Sequence, residues 1–228
     1  MKILVHGDFG KTFFNMGYSI REPYYANMQH ELANIDFLRP WYCELTALYY
    51  VLNNYNDDVV GIEQYRRYIL SDDEKQPITE KEIQEKLKNA DVICGYNRYP
   101  CKWCGDYIYT WPIKTGKKHY FEAYLEVIKE MYGDKMYEHF NNFLYGQWHC
   151  HGNLVIGKRD VLEKYMMFLI ETFASLKQKV NIWDNKNQRM LEYLSEFLFG
   201  AWLTFYGYKI YWQPWNNCGQ VMESRLNK

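Results

Sequence analysis

Leu45-Thr46-Ala47-Leu48-Tyr49-Tyr50-Val51-Leu52, then Asn53-Asn54-Tyr55-Asn56-Asp57-Asp58, then Val59-Val60-Gly61-Ile62, is the stretch whose reading decides the fold. Leu45, Leu48, Tyr49 and Leu52 fall at i, i+3, i+4 and i+7, which puts one apolar stripe on a helix from about Cys43 to Tyr55. The polar run stops that helix. The β-branched run after it is short and unbroken, as in a strand buried on both faces. A helix feeding a buried strand is the unit of a layered α/β sheet.

Outward from that unit, Lys2-Ile3-Leu4-Val5 reads as a short buried strand released at His6-Gly7, where glycine permits a sharp exit. Open α/β sheets bind ligands beyond the carboxyl ends of their strands, so His6 and Gly7 are ligand-loop candidates. Asp8-Phe9-Gly10-Lys11-Thr12 imitates a phosphate-binding loop, but Val5 stands where that motif needs glycine. From Gly17 to Pro40 the pattern is irregular and reads as loop with short helix. Thr79 with Glu82 forms a capping-box signature, so a helix is expected over Thr79–Asn89, followed by a strand at Asp91–Cys94. Tyr96–Lys118, broken by Pro100, Gly105, Pro112 and Gly116, reads as a loop, and loops of that length tend to be functional or mobile. Further helices are expected at His119–Met131, Lys135–Leu144, Asp160–Lys179 and Asn187–Tyr206, with strands at Asn153–Ile156 and Tyr208–Trp212. The expected architecture is a single domain over residues 1–228: α/β, a Rossmann-like mixed sheet flanked by helices, with a helix-rich C-terminal half.

The 228 residues carry a formal charge of −1 and are 48% hydrophobic, which allows one substantial core and gives no global attraction for nucleic acid. The N-terminal apolar run is too short for a signal peptide, and no window approaches the roughly 18 apolar residues of a membrane span. A cytoplasmic location with six reduced cysteines is therefore expected. The 23 Tyr, 12 Phe and 8 Trp make up 19% of the chain and suit sugar-stacking or base-stacking surfaces as well as ordinary cores.

Tyr42-Cys43-Glu44-Leu45-Thr46-Ala47-Leu48-Tyr49-Tyr50, followed by Val60-Gly61-Ile62-Glu63-Gln64-Tyr65-Arg66-Arg67-Tyr68, resembles a bacterial capsular-polysaccharide and exopolysaccharide glycosyltransferase family long catalogued as a domain of unknown function. The likeness continues at Asn153-Leu154-Val155-Ile156-Gly157-Lys158-Arg159 and from Arg189 to Ser195-Glu196. Galactofuranosyltransferases belong to the family. The resemblance implies a GT-A-like fold, a UDP-sugar donor such as one of galactofuranose or a related hexose, and a saccharide or lipid-linked glycan acceptor. It also implies work at, or peripherally attached to, the inner face of the membrane. Two departures stand out: Gln64 where the family has His, and Phe197 where it has Arg.

A glycosyltransferase holds a nucleotide diphosphate, offsets the charge growing on the leaving group and, when inverting, deprotonates the acceptor hydroxyl. No Asp-x-Asp metal motif occurs. No metal ligand set is assigned and no cofactor beyond the donor is expected, with a divalent ion left as an open alternative. Asp57-Asp58 precedes its strand, at the wrong end of the sheet, and Asp72-Asp73 reads as a solvated turn. Arg66 and Arg67 lie just past the Val59–Ile62 strand, where guanidinium groups can bind phosphate in place of a cation. In an extended chain they point to opposite faces, so both converge only if the chain turns. The donor-side candidates are His6, Gly7, Glu44, Gln64, Tyr65, Arg66 and Arg67; for Glu44, a helix N-terminal dipole role competes with donor contact. The resemblance makes Glu196 the first choice for the base, with Glu192 one turn earlier as the reserve. His149, His151, Asn153 and Arg189 are the acceptor-side candidates. Strand alternation at His149-Cys150-His151 puts both imidazoles on one side.

Two other classes stay open. One is a non-catalytic saccharide-binding module of the same fold. The other is a zinc-stabilised, nucleic-acid-binding or DNA-sugar-modifying protein, for which Cys101-x-x-Cys104 with His149 and His151 would supply ligands, although nucleic acid is not the expected partner.

Overall fold

The computed structural model describes residues 1–6, 20–24, 32–64, 67–96, 110–146, 149–183 and 189–217. Its centre is a seven-stranded mixed sheet. β1 (Lys2–His6) pairs in parallel with both β2 (Arg21–Tyr24) and β3 (Val59–Gln64). β4 (Arg67–Ile69) turns back on β3, with Gln64 opposite Arg67. β5 (Val92–Tyr96) and β3 both pair antiparallel with β6 (Val155–Lys158), which lies between them. β7 (Ile210–Asn217) runs parallel to β5 through its first half and antiparallel to β4 through its second. Consequently β1, β2, β3, β5 and β7 all point the same way, and their carboxyl ends share one edge.

Helices cover both faces. Leu4, Val60, Ile62, Val92, Cys94 and Val155 alternate onto one side. There they bury against α1 (Arg39–Tyr42), α2 (Leu45–Asn54), α5 (Lys118–Tyr132), α6 (Asp134–Phe143), α7 (Arg159–Lys179) and α8 (Met190–Phe205). Ile3, Ile69, Ile93 and Ile156 point to the other side, where α3 (Glu80–Leu87) supplies Ile83 and Leu87. The short α4 (Thr110–Lys114) precedes α5. Thr79 caps α3 as expected, with the reciprocal Glu82 contacts of a capping box. At Gly61 a Cβ would sit 2.6 Å from the Val155 carbonyl oxygen, so the close approach of β3 to β6 depends on glycine.

The α/β expectation holds, including the mixed sheet and the helix-rich C-terminal half. Four local readings change. β2 lies within the stretch read as loop; it contains Pro23, which an edge strand tolerates because its missing N–H breaks no central ladder. The helix read from Cys43 is α2, which begins at Leu45, and Cys43 at φ 43° separates it from the short α1 before it. The Tyr96–Lys118 stretch contains α4, and its residues 97–109, with Cys101 and Cys104, lie outside the described residues. His149–Asn153 is not the start of a strand: His151–Asn153 is a 3-10 turn and β6 begins at Val155.

Asp57 does lie at the far end of β3, where it pairs with the N-terminal amine at 2.5 Å. Asp72 is exposed and pairs with Lys86 at 2.6 Å. The described cysteines Cys43, Cys94 and Cys150 are free thiols. Among the described residues no helix is long and apolar enough to cross a membrane.

A candidate active site at the carboxyl edge of the sheet

The ends of β1 and β3 deliver His6 and Gln64 to the common edge. Gln64 is the junction. Its Nε2 donates to Glu44 Oε1 at 2.7 Å and to the Gly152 carbonyl at 2.9 Å, and its Oε1 accepts from Arg67 at 3.1 Å. One carboxamide therefore ties β3 to the start of α2, to the 3-10 turn and to β4. Gly152 adopts φ 61°, and a Cβ there would meet Gln64 Nε2 at 2.8 Å, so this junction needs glycine twice over.

The turn that carries Gly152 is fastened to α8. Asn153, itself at φ 54°, accepts from Ser195 Oγ at 2.9 Å and donates to the Glu192 carbonyl at 3.3 Å. Tyr165 of α7 meets the same Ser195 hydroxyl at 2.9 Å. This latch sets the height of His149 and His151 against Glu196. His149 Nε2 and His151 Nδ1 are 3.3 Å apart, and each lies 3.6 Å from Glu196 Oε1. The pairing of the two imidazoles is as expected, but a tight turn makes it rather than strand alternation.

Burial by itself raises the Glu196 carboxyl, yet the adjacent His149 and His151 imidazoles and the Gly152 backbone bring it down to about 2. It is a carboxylate at neutral pH. His151 is lowered to about 4, mainly by burial, with His149 and Arg67 adding to the shift and Glu196 opposing it. Trp215, near the end of β7, stacks on His151 with ring centres 4.8 Å apart, and the Arg67 guanidinium lies 5.2 Å from the Trp215 ring. Phe197 lies 4.7 Å from the His149 ring and forms an apolar wall of the histidine cluster.

A second group lies beside the first. Arg189 opens α8 at φ 71° and grips Glu192 with two bonds of 2.6 Å. Glu192 is buried, and its carboxylate approaches Glu44 and Cys43, all within 4.8 Å of one another. Glu44 is pushed well above the usual carboxylate range, first by burial and then by Glu192. Its Oε2 finds no donor among the described residues, which a proton on that oxygen resolves by donating towards Glu192. His6 stacks loosely on Tyr24 and is lowered to about 4 by burial, then by Arg39 and Arg189, with Asp36 opposing.

Of the residues expected from sequence, His6, Glu44, Gln64, Arg67, His149, His151, Asn153, Arg189, Glu192 and Glu196 all come to this edge. Arg189 groups with His6 and Glu44 rather than with the histidines. Gly7, Tyr65 and Arg66 lie outside the described residues. The sequence reading missed Trp215, Gly152, Ser195 and Tyr165. A glycine beside two histidines was a usable signal, whereas nothing in the pattern sets Trp215 against His151.

The apo structure of the WbbM bifunctional glycosyltransferase is similar to this chain with a TM-score of 0.73 at 18% identity, over 95% of this chain and 45% of that one. The chain thus spans less than half the length of that structure, and the likeness establishes the fold, a GT-A-like α/β sheet. No curated protein gives a significant match. A family model described as a domain of unknown function, DUF4422, matches residues 16–206, and the chain belongs to that family.

Proposed function

We propose that the chain is a glycosyltransferase that moves a hexose, galactofuranose or a close relative, from a UDP-sugar to a saccharide or lipid-linked glycan. The supporting observation is the convergence of Arg67, His149, His151 and Glu196 at the carboxyl edge of the sheet, where open α/β folds take their ligands. Arg67 offers a fixed positive charge for the diphosphate. Glu196 is ionised and lies against both histidines, and this reading assigns it to the reacting groups. Glu192, held by the Arg189 fork, takes a supporting place instead.

The test is release of UDP from a panel of UDP-hexoses, with and without saccharide acceptors. Turnover should fall by at least about 100-fold in Glu196→Gln, and Arg67→Ala should raise KM for the donor. Glycan binding with no turnover of any donor would identify a binding module and reject the proposal.

A further inference from the structure

Three side chains at this edge form a triangle of ligand atoms: His149 Nε2 to His151 Nδ1 is 3.3 Å, and each nitrogen is 3.6 Å from Glu196 Oε1. Ligands held at about 2.0–2.1 Å around a tetrahedral ion are separated by about 3.4 Å. The spacing of the triangle therefore matches that of ligands around one ion. Two imidazoles and a carboxylate are a set that zinc uses at catalytic sites, leaving a fourth position open. Imidazole donors also select first-row transition metals over magnesium or calcium, which prefer oxygen.

The surroundings hold this geometry. Trp215 stacks on one ring, Phe197 packs against the other, and the Asn153–Ser195–Tyr165 latch fixes the turn relative to α8. Packing of this kind holds the two rings in place, although the Nδ1 of His149 finds no hydrogen-bond partner among the described residues.

We infer that His149 Nε2, His151 Nδ1 and Glu196 bind a divalent transition-metal ion of the zinc type, whose open position takes a diphosphate oxygen of the donor. The second half of this statement rests on the glycosyltransferase reading; the first half does not. The ion supplies beside Arg67 the positive charge that an Asp-x-Asp motif would otherwise hold. Glu196 is thereby assigned to the leaving-group side of the transfer and not to deprotonation of the acceptor.

The experiment uses the full chain, stripped with a chelator and titrated with Co²⁺ and Zn²⁺ by calorimetry and visible absorption. One equivalent should bind, Co²⁺ should show ligand-field bands of nitrogen and oxygen coordination, and UDP should perturb those bands. His149→Ala, His151→Ala and Glu196→Gln should each weaken binding by at least about 100-fold, more than loss of a supporting residue does, while Asp160→Asn leaves it unchanged. Circular dichroism checks that each variant is folded, and the wild-type Co²⁺ spectrum stands even if one is not.

No uptake by the wild type, uptake insensitive to the three substitutions, or a thiolate-to-cobalt charge-transfer band would overturn the site. Bands unmoved by UDP would overturn its link to the diphosphate. Metal uptake without sugar transfer supports the site while removing the glycosyltransferase reading; full transfer after chelation does the reverse.

Discussion

Gln64 donates to Glu44 at 2.7 Å, so the last residue of β3 holds the carboxyl group at the entrance of α2. The same amide donates to the Gly152 carbonyl and accepts from Arg67. A carboxamide can donate twice and accept at once, whereas a neutral imidazole has one donor and one acceptor nitrogen. Gln64 is therefore a structural node, and it leaves the adjacent cluster to His149 and His151.

Removing the node should be costly. Gln64→Leu strands Glu44 and the Gly152 carbonyl in a buried setting, and the expected loss is about 2–4 kcal/mol of unfolding free energy. Gln64→His, which keeps two of the three contacts at best, should lose less. Urea denaturation of both variants checks this; equal stability of Gln64→Leu and wild type would show that the junction is idle.

Glu44 makes stability depend on pH in an identifiable way. Its folded pKa is raised well above 4.5 by burial and by Glu192, with Arg189 opposing and Cys43 nearby. A raised carboxyl contributes stability that is fully present below about pH 4.5 and is lost as pH rises through the folded value. Glu44→Gln keeps the shape without the titration. The melting temperature of wild type minus that of the variant should therefore fall steadily from pH 4.5 upward. A difference that is flat to pH 9 would mean that Glu44 does not carry the proton.

The buried pair Arg21–Glu63 lies on the opposite face from the histidines, with bonds of 2.6 and 3.1 Å, and Glu63 also accepts from the Ile69 amide at 3.1 Å. It fastens the edge strand β2 to the β3–β4 corner that presents Arg67. Arg21→Ala leaves a buried carboxylate and should cost about 3–5 kcal/mol, whereas Arg21→Met with Glu63→Leu should recover most of that loss. Chemical denaturation of the single and double variants measures the coupling; additive losses would show that the charges act independently.

These relationships show where sequence reading works and where it stops. The helix–turn–strand around Leu45–Ile62 was legible because its periodicity is local, and so was the Thr79 capping box. β2 was hidden because Pro23 reads as a breaker until the strand is known to lie at an edge. Glu192 and Glu196 were separable from other helical acids only through the resemblance, since Glu196 meets His149 and His151 and Glu192 meets Glu44 and Cys43, all distant in the chain. The stacking of Trp215 on His151 joins the last strand to a turn more than sixty residues earlier, and no local pattern encodes that register. The two histidines came together as expected, but through positive φ values at Gly152 and Asn153 that spacing alone does not reveal.

Arg189 and Glu192 provide the last test. The fork places both guanidinium bonds on a carboxylate that is essentially buried, while Arg189 itself is about half exposed. Removing Arg189 leaves Glu192 charged beside the Glu44 carboxyl, with solvent reaching only the vacated arginine site. The expected cost is about 2–4 kcal/mol, towards the lower side of the range for a broken buried pair because one partner was already hydrated. Arg189→Ala with Glu192→Gln should be more stable than Arg189→Ala alone, since the second change removes the stranded charge. A double variant less stable than either single one would mean that Arg189 acts through α8 and its left-handed start rather than through the charge of Glu192.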